Sequence, residues 1–274
     1  MQNSKYEKQY KKKVIDFFDS RTSYDNDRTI DRALPLLDLV PLQKGQKVLD
    51  MAIGTGIIAI AAAQIIGSEG KVIGVDFSSG MLAQAQQKIE ELGLQNIELI
   101  EADAEYIDFN DESFDVILCS TAIVYFKDIP AALRKWYRYL KPGGILGFSC
   151  CSEESCGAPL IIEICSKHGI PLTSINEPTG TPEKCHKLLA KAGFENTEVK
   201  IQQLGFYRNI DEAREWNGGW FHPRENPLLE VSSEQMAELK AEYRQKIEAE
   251  ATEQGAWYEN LTFFVTAQKV ENKL

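Results

Sequence analysis

Val48-Leu49-Asp50-Met51-Ala52-Ile53-Gly54-Thr55-Gly56 decides the fold. Lys47 to Met51 is a short apolar run of the kind that forms a buried parallel strand, interrupted by one carboxylate at Asp50. Gly54 and Gly56 then supply a tight turn where a ligand can approach the backbone closely. Ile57 to Ile66 follows, apolar and alanine-rich, and reads as a buried helix. Strand, acid, glycine turn and helix in this order describe a ligand site at the carboxyl end of a first strand in a doubly wound sheet.

The glycines alone leave two readings open. Gly54-x-Gly56-x-x-Ala59 also fits a dinucleotide fingerprint, and Asp76 lies twenty residues beyond Gly56, as that motif requires. A nicotinamide-dependent oxidoreductase is therefore the alternative. Asp50 separates the two, because a carboxylate four residues before Gly54 repels a pyrophosphate seated on the helix N-terminus. The same carboxylate suits a ligand with a positive end.

Asp50-x-Ala52-x-Gly54-Thr55-Gly56 resembles the first motif of class I S-adenosylmethionine (SAM) dependent methyltransferases. Ala52 stands where that motif usually has glycine, which resembles the ubiquinone/menaquinone C-methyltransferase group; its methyl group calls for a negative φ. Lys141-Pro-Gly-Gly, the turn into a fifth strand, strengthens the resemblance, which covers roughly residues 20 to 205 and the last strand. It implies an α/β, Rossmann-like, doubly wound sheet of seven strands, mostly parallel with an antiparallel last strand. It also implies SAM as cofactor and S-adenosylhomocysteine as product, with Asp50 receiving the methionine amino group.

Composition narrows the partners. The chain has 274 residues, 43% hydrophobic and 26% charged, enough for one large domain with a cap. A formal net charge of -11 argues against a phosphate-backbone partner, so a small-molecule acceptor is expected and nucleic acid is not. Neither an apolar run of spanning length nor a signal core is found, and a cytoplasmic monomer or homodimer is the default expectation. The six cysteines include Cys150, Cys151 and Cys156 close together. They read as reduced, idle thiols, with a soft-ligand site for arsenite or a metal as the sharper alternative; no CxxC pair or matched histidine spacing supports zinc.

Residues 1–40 read as an N-terminal helical lid, with Val14, Phe17 and Phe18 as an apolar stripe. Tyr24-Asp25 resembles the segment that folds over the cofactor in small-molecule methyltransferases. A helix is expected from Thr29 to Leu39. The core comprises 41–208 and 258–270. Lys71–Asp76, Asn96–Ala102 and Phe114–Ser120 read as the second to fourth strands. Asp76 ends its strand as an acid suited to the ribose hydroxyls, with Phe77 beside it to cover an adenine face; the resemblance further implies Met81 near the adenosine, Asp103, Ala104 and Glu105 for adenine, and Ser120 and Thr121 behind the methionine part. With Tyr24, Asp50, Ala52, Gly54, Thr55 and Gly56 they complete the set.

Between the sixth strand (Asn196–Phe206) and the last (Leu261–Ala267) lie more residues than a hairpin needs. Residues 209–257 read as an inserted substrate cap, holding Trp216, Trp220 and His222 and a helix started by the capping box Ser232-Ser-Glu-Gln235. The stripe Met236, Leu239, Tyr243 and Ile247 is expected to bury against the carboxyl end of the sheet. Tyr24, Tyr125, Trp216, Trp220 and His222 are the substrate-side candidates, and Tyr125 and His222 the candidate bases. The expected function is methylation of a small aromatic or apolar acceptor on oxygen, nitrogen or carbon, of secondary-metabolite or quinone type. An arsenite methyltransferase and a non-catalytic SAM-binding module are the lesser alternatives.

Overall fold

The computed structural model describes residues 2–216, 222–224 and 226–270. In chain order the elements are α1 (Gln2–Asp19), α2 (Asp27–Asp31), β1 (Lys47–Met51), α3 (Ile57–Ile66), β2 (Lys71–Asp76), α4 (Ser79–Glu91), β3 (Ile97–Glu101), β4 (Phe114–Ser120), α5 (Ile129–Tyr139), β5 (Leu140–Cys151), α6 (Ala158–Lys167), α7 (Pro182–Ala192), β6 (Glu195–Gln203), β7 (Phe206–Arg208), α8 (Ile210–Ala213), α9 (Ser233–Glu250), β8 (Ala256–Tyr258) and β9 (Leu261–Gln268).

Seven strands form one sheet in the order β3-β2-β1-β4-β5-β9-β6, with β9 antiparallel to both neighbours. The chain reverses direction across the sheet between β1 and β4, and the carboxyl ends of the strands flank that crevice. Side chains alternate along β1: Leu49 and Met51 join the core that holds Trp136 and Leu133, while Val48 joins the core under α3. Ala59, Ala62 and Ala63 bring α3 close to the strands. Gly74 in β2 makes room for Ile53, which follows the β1 turn: a Cβ would lie 2.1 Å from the end of that side chain and displace it.

Three expectations change. The helix foreseen from Thr29 to Leu39 is interrupted, leaving α2 and a 3-10 turn over Leu34–Leu36, with Pro35 inside the turn where its missing N–H ends an α-helix. The sixth strand stops at Gln203, and the next residues enter the separate hairpin β7–β8, the stem of the insertion. The stripe on α9 does not meet the sheet. Leu239 and Tyr243 are buried against Ile164 and Cys165 of α6 and Leu172, with Met236 and Ile247 at the margin. An apolar face on α6 was nearer than the strand ends, and the two faces cover each other.

Candidate active site

The carboxyl ends of β1, β2, β3 and β4 open into a cavity with about 1000 Å³ of empty volume, part of it open to solvent. Tyr24, Asp50, Ala52, Gly54, Thr55, Asp76, Phe77, Met81, Asp103, Ala104, Glu105, Ser120, Thr121 and Tyr125 all line it. Gly56 lies just behind the wall with φ +81, capping α3 in the left-handed conformation that its lack of a Cβ allows.

Asp50 has the most demanding environment in the cavity. It is 1% exposed, and neither carboxylate oxygen has a hydrogen-bond partner. Burial, helped by the negative charge of Asp76, pushes its pKa up to about 8. A buried, unpartnered carboxylate is costly unless a cationic or donor group meets it. Asp76 is held differently: its oxygens accept from the Gly54 N–H at 2.8 Å and the Ser78 N–H at 2.9 Å. Burial raises its pKa, and these backbone donors oppose the rise. Asp76 thus ties the glycine turn to the start of α4.

Ala52 departs from expectation. Its φ is +62, so the methyl group does not impose a negative φ. The Ile53 N–H donates to the Val75 carbonyl at 3.0 Å and the Gly54 N–H to Asp76, and these contacts hold Ala52 in the left-handed region. That conformation costs an L-residue about 1–2 kcal/mol. Thr121, also on the cavity wall, has φ +52 and is pinned by its N–H to Ser149.

Helix α1 supplies a wall that the sequence reading identified only in part. Val14 and Phe18 line the cavity, and Lys11 does so one turn earlier on the same face. The Lys11 ammonium lies 2.6 Å from Asp103 and 2.9 Å from Glu105. Tyr10 donates to the Tyr125 carbonyl at 2.9 Å, and Asp19 accepts from Ser78 and the Gly80 N–H. In the following loop Asp25 accepts from the Thr55 hydroxyl and from Lys88, both at 2.5 Å. Tyr24 is thereby fixed against the glycine turn.

The two candidate bases fare differently. Tyr125 lines the cavity with Phe18 packed edge-on at 5.8 Å. Burial raises its pKa, so at neutral pH it is a hydrogen-bond donor and not a base. His222 is not part of the cavity. It is buried in a separate small recess with Tyr6 and Tyr10, where its Nε2 meets the Thr173 hydroxyl at 3.1 Å and its Nδ1 accepts from the Arg224 N–H at 3.3 Å. Burial, then the charge of Arg224, lowers its pKa to about 4. Trp216 is not at the cavity either; its ring packs on Tyr243, 5.5 Å between centroids, in the α6–α9 cluster. Closeness in sequence to the aromatic insertion misled both assignments. Trp220 lies outside the described residues. Among the described residues no group of three or more metal-ligating side chains occurs, and no helix is long and apolar enough to cross a membrane.

A sheet of order β3-β2-β1-β4-β5-β9-β6 with an acid and glycine turn at its reversal point defines the class I SAM-dependent methyltransferase architecture. The ubiE/COQ5 methyltransferase family model matches residues 11–160, and the chain belongs to that family. A demethylmenaquinone methyltransferase from Geobacillus stearothermophilus is 40% identical over 114 residues, which are 42% of this chain and 47% of that protein. The chain thus spans about half the length of the curated relatives it matches. Among solved structures, a candidate methyltransferase from Bacillus halodurans superposes with a TM-score of 0.61 at 24% identity, covering 87% of this chain and 98% of that one. A phosphoethanolamine N-methyltransferase from Haemonchus contortus, in complex with phosphomonomethylethanolamine and S-adenosylhomocysteine, gives 0.55 at 24% identity, covering 87% and 52%. These two likenesses concern the fold.

Proposed function

We propose that this chain methylates a small, quinol-like aromatic acceptor on a ring carbon, using SAM bound in the β1–β4 cavity. The observation that carries the reading is Asp50: a buried acid with two unpartnered oxygens, in a cavity whose wall also carries Phe18, Tyr24, Phe77, Met81 and Tyr125. Such a carboxylate needs a cation, and the methionine ammonium of SAM is one. The match to a protein named demethylmenaquinone methyltransferase supports the quinol class.

In this reading Asp50 takes the ammonium and Asp76 the ribose hydroxyls. Phe77 and Met81 pack on the adenosine, and Asp103 with Ala104 meets the adenine edge. Lys11 already occupies Asp103, so the adenine amine shares that carboxylate with it. When bound, SAM supplies a sulfonium methyl group whose transfer leaves a neutral thioether. The chain's own task is positioning: Tyr24, Phe18 and Tyr125 hold a flat acceptor, and α1 excludes water. Aromatic faces also favour a cationic sulfonium beside them. Tyr125, kept protonated, donates to an acceptor oxygen and orients the ring. A ring carbon is nucleophilic only in the electron-rich quinol, so the reduced acceptor is the substrate.

The test is release of S-adenosylhomocysteine with a panel of phenols, amines and reduced naphthoquinols. Turnover with quinols lacking a ring methyl, giving a carbon-methylated product, is expected. Turnover with amines alone would overturn the acceptor class.

A further inference from the structure

The six free cysteines include two thiol pairs in unlike settings. Cys150 and Cys185 are fully buried, their thiols in mutual contact and both donating to the Thr179 carbonyl, at 3.6 and 3.2 Å. Cys151 and Cys156 are half-buried, and their thiols lie within interaction range of each other. Cys151 ends β5, and its thiol donates to Asn260 Oδ1 at 3.5 Å. The chain then turns back: the Ser155 hydroxyl accepts from the Leu261 N–H at 2.9 Å, and the Cys156 N–H donates to the Glu259 carbonyl at 2.8 Å. Both sulfurs are therefore clamped over the same segment, Tyr258 to Asn260.

Several features give this pair reactivity that the other lacks. The contact with Cys151, then the Tyr258 hydroxyl and the charge of Arg32, outweigh burial and hold Cys156 below the ordinary thiol range, which favours its thiolate. Cys151 lies well above the ordinary thiol range, chiefly through the Cys156 contact, and remains the protonated partner. Burial also keeps solvent oxidants from Cys150 and Cys185. The Cys151–Cys156 loop is short, so closing it costs little chain entropy.

We propose that Cys151 and Cys156 form a reversible dithiol–disulfide site, oxidised by peroxides. The Cys156 thiolate attacks the peroxide oxygen, forming a sulfenic acid as the O–O bond breaks, and the released hydroxide takes a proton to become water. The Cys151 thiol then attacks the sulfenic sulfur, forming the S–S bond and expelling a second water. Two thiols and one hydrogen peroxide thus give one disulfide and two waters. The site neighbours the cavity wall, since the charge of the Cys156 thiolate acts on Tyr125. Oxidation removes that charge without touching Asp50 or Asp76.

The test is intact-mass and peptide analysis of the folded chain treated with hydrogen peroxide, then with dithiothreitol. The expected result is loss of two hydrogens, a Cys151–Cys156 cross-linked peptide, and full reversal. The Cys150→Ser variant should behave the same, and Cys151→Ser and Cys156→Ser should show no such loss, with circular dichroism confirming that each is folded. A cross-link through Cys150 or Cys185, or oxygen addition at Cys156 with Cys151 still free in the wild type, would overturn the proposal.

Discussion

Replacing Asp50 by asparagine should stabilise the free protein and weaken its cofactor, with a pH dependence that identifies the cause. The side chain is 1% exposed and unpartnered, with a pKa of about 8 against an ordinary 3.8. At ~1.4 kcal/mol per pH unit, the proton that burial makes Asp50 take up on folding forfeits about 4 kcal/mol of folding free energy at pH 7 and about 1–2 kcal/mol at pH 5. The sign follows from the raised folded pKa: stability is fully present below pH 3.8 and declines as pH rises toward about 8. Asparagine needs no proton but leaves a buried amide unsatisfied, at about 2 kcal/mol. Asp50→Asn should therefore gain about 2 kcal/mol at pH 7, or ~4–8 °C in Tm for a chain of this size, and gain nothing at pH 5. The same change removes a charge-assisted contact of about 1.5–3 kcal/mol to the ammonium, weakening S-adenosylhomocysteine ten- to hundredfold. Thermal unfolding from pH 5 to 8.5, with and without S-adenosylhomocysteine, reads both effects. A variant destabilised equally at every pH, with unchanged affinity, would refute the reasoning.

Ala52→Gly relieves a left-handed alanine at φ +62 and should raise stability by about 1 kcal/mol in urea unfolding, with the methyl-transfer rate little changed. Lys11→Met leaves Asp103 and Glu105 without their shared cation and frees α1; stopped-flow fluorescence should show S-adenosylhomocysteine entering and leaving at least ~5-fold faster, on the order of 1 kcal/mol. His222→Ala should cost about 2 kcal/mol of stability in denaturant while affinity for S-adenosylhomocysteine stays within about twofold. Because the folded pKa of His222 is depressed to about 4 from 6.5, wild-type stability falls as pH drops through that window, and the variant should lose that slope.

The core of the fold was legible because each strand end carries an unusual residue for its place. Asp50, Asp76 and Asp103 interrupt or terminate apolar runs, and parallel strands bring such ends to one edge. Lys11 was legible in principle, since it lies one turn before Val14 and on the same face as Val14 and Phe18, but a lone lysine on a polar helix carries no signal of its partner. The φ of Ala52 was not legible: backbone hydrogen bonds to Val75 and Asp76, made across the sheet, override the local preference. Trp216 and His222 failed for a related reason. Their segment is aromatic, but an amphipathic helix specifies only that its stripe is covered, and α6 covers it. The thiol pairing of Cys151 with Cys156 depends on a turn closed by Ser155 and Leu261, residues far apart in sequence.

Titration calorimetry of the purified chain with S-adenosylhomocysteine and, separately, with NAD tests the central claim most directly. One site with a micromolar dissociation constant for S-adenosylhomocysteine and no heat from NAD is expected, because Asp50 at the cavity wall pairs with an ammonium and offers a pyrophosphate no cation. Comparable binding of NAD, or no binding of S-adenosylhomocysteine, would contradict it.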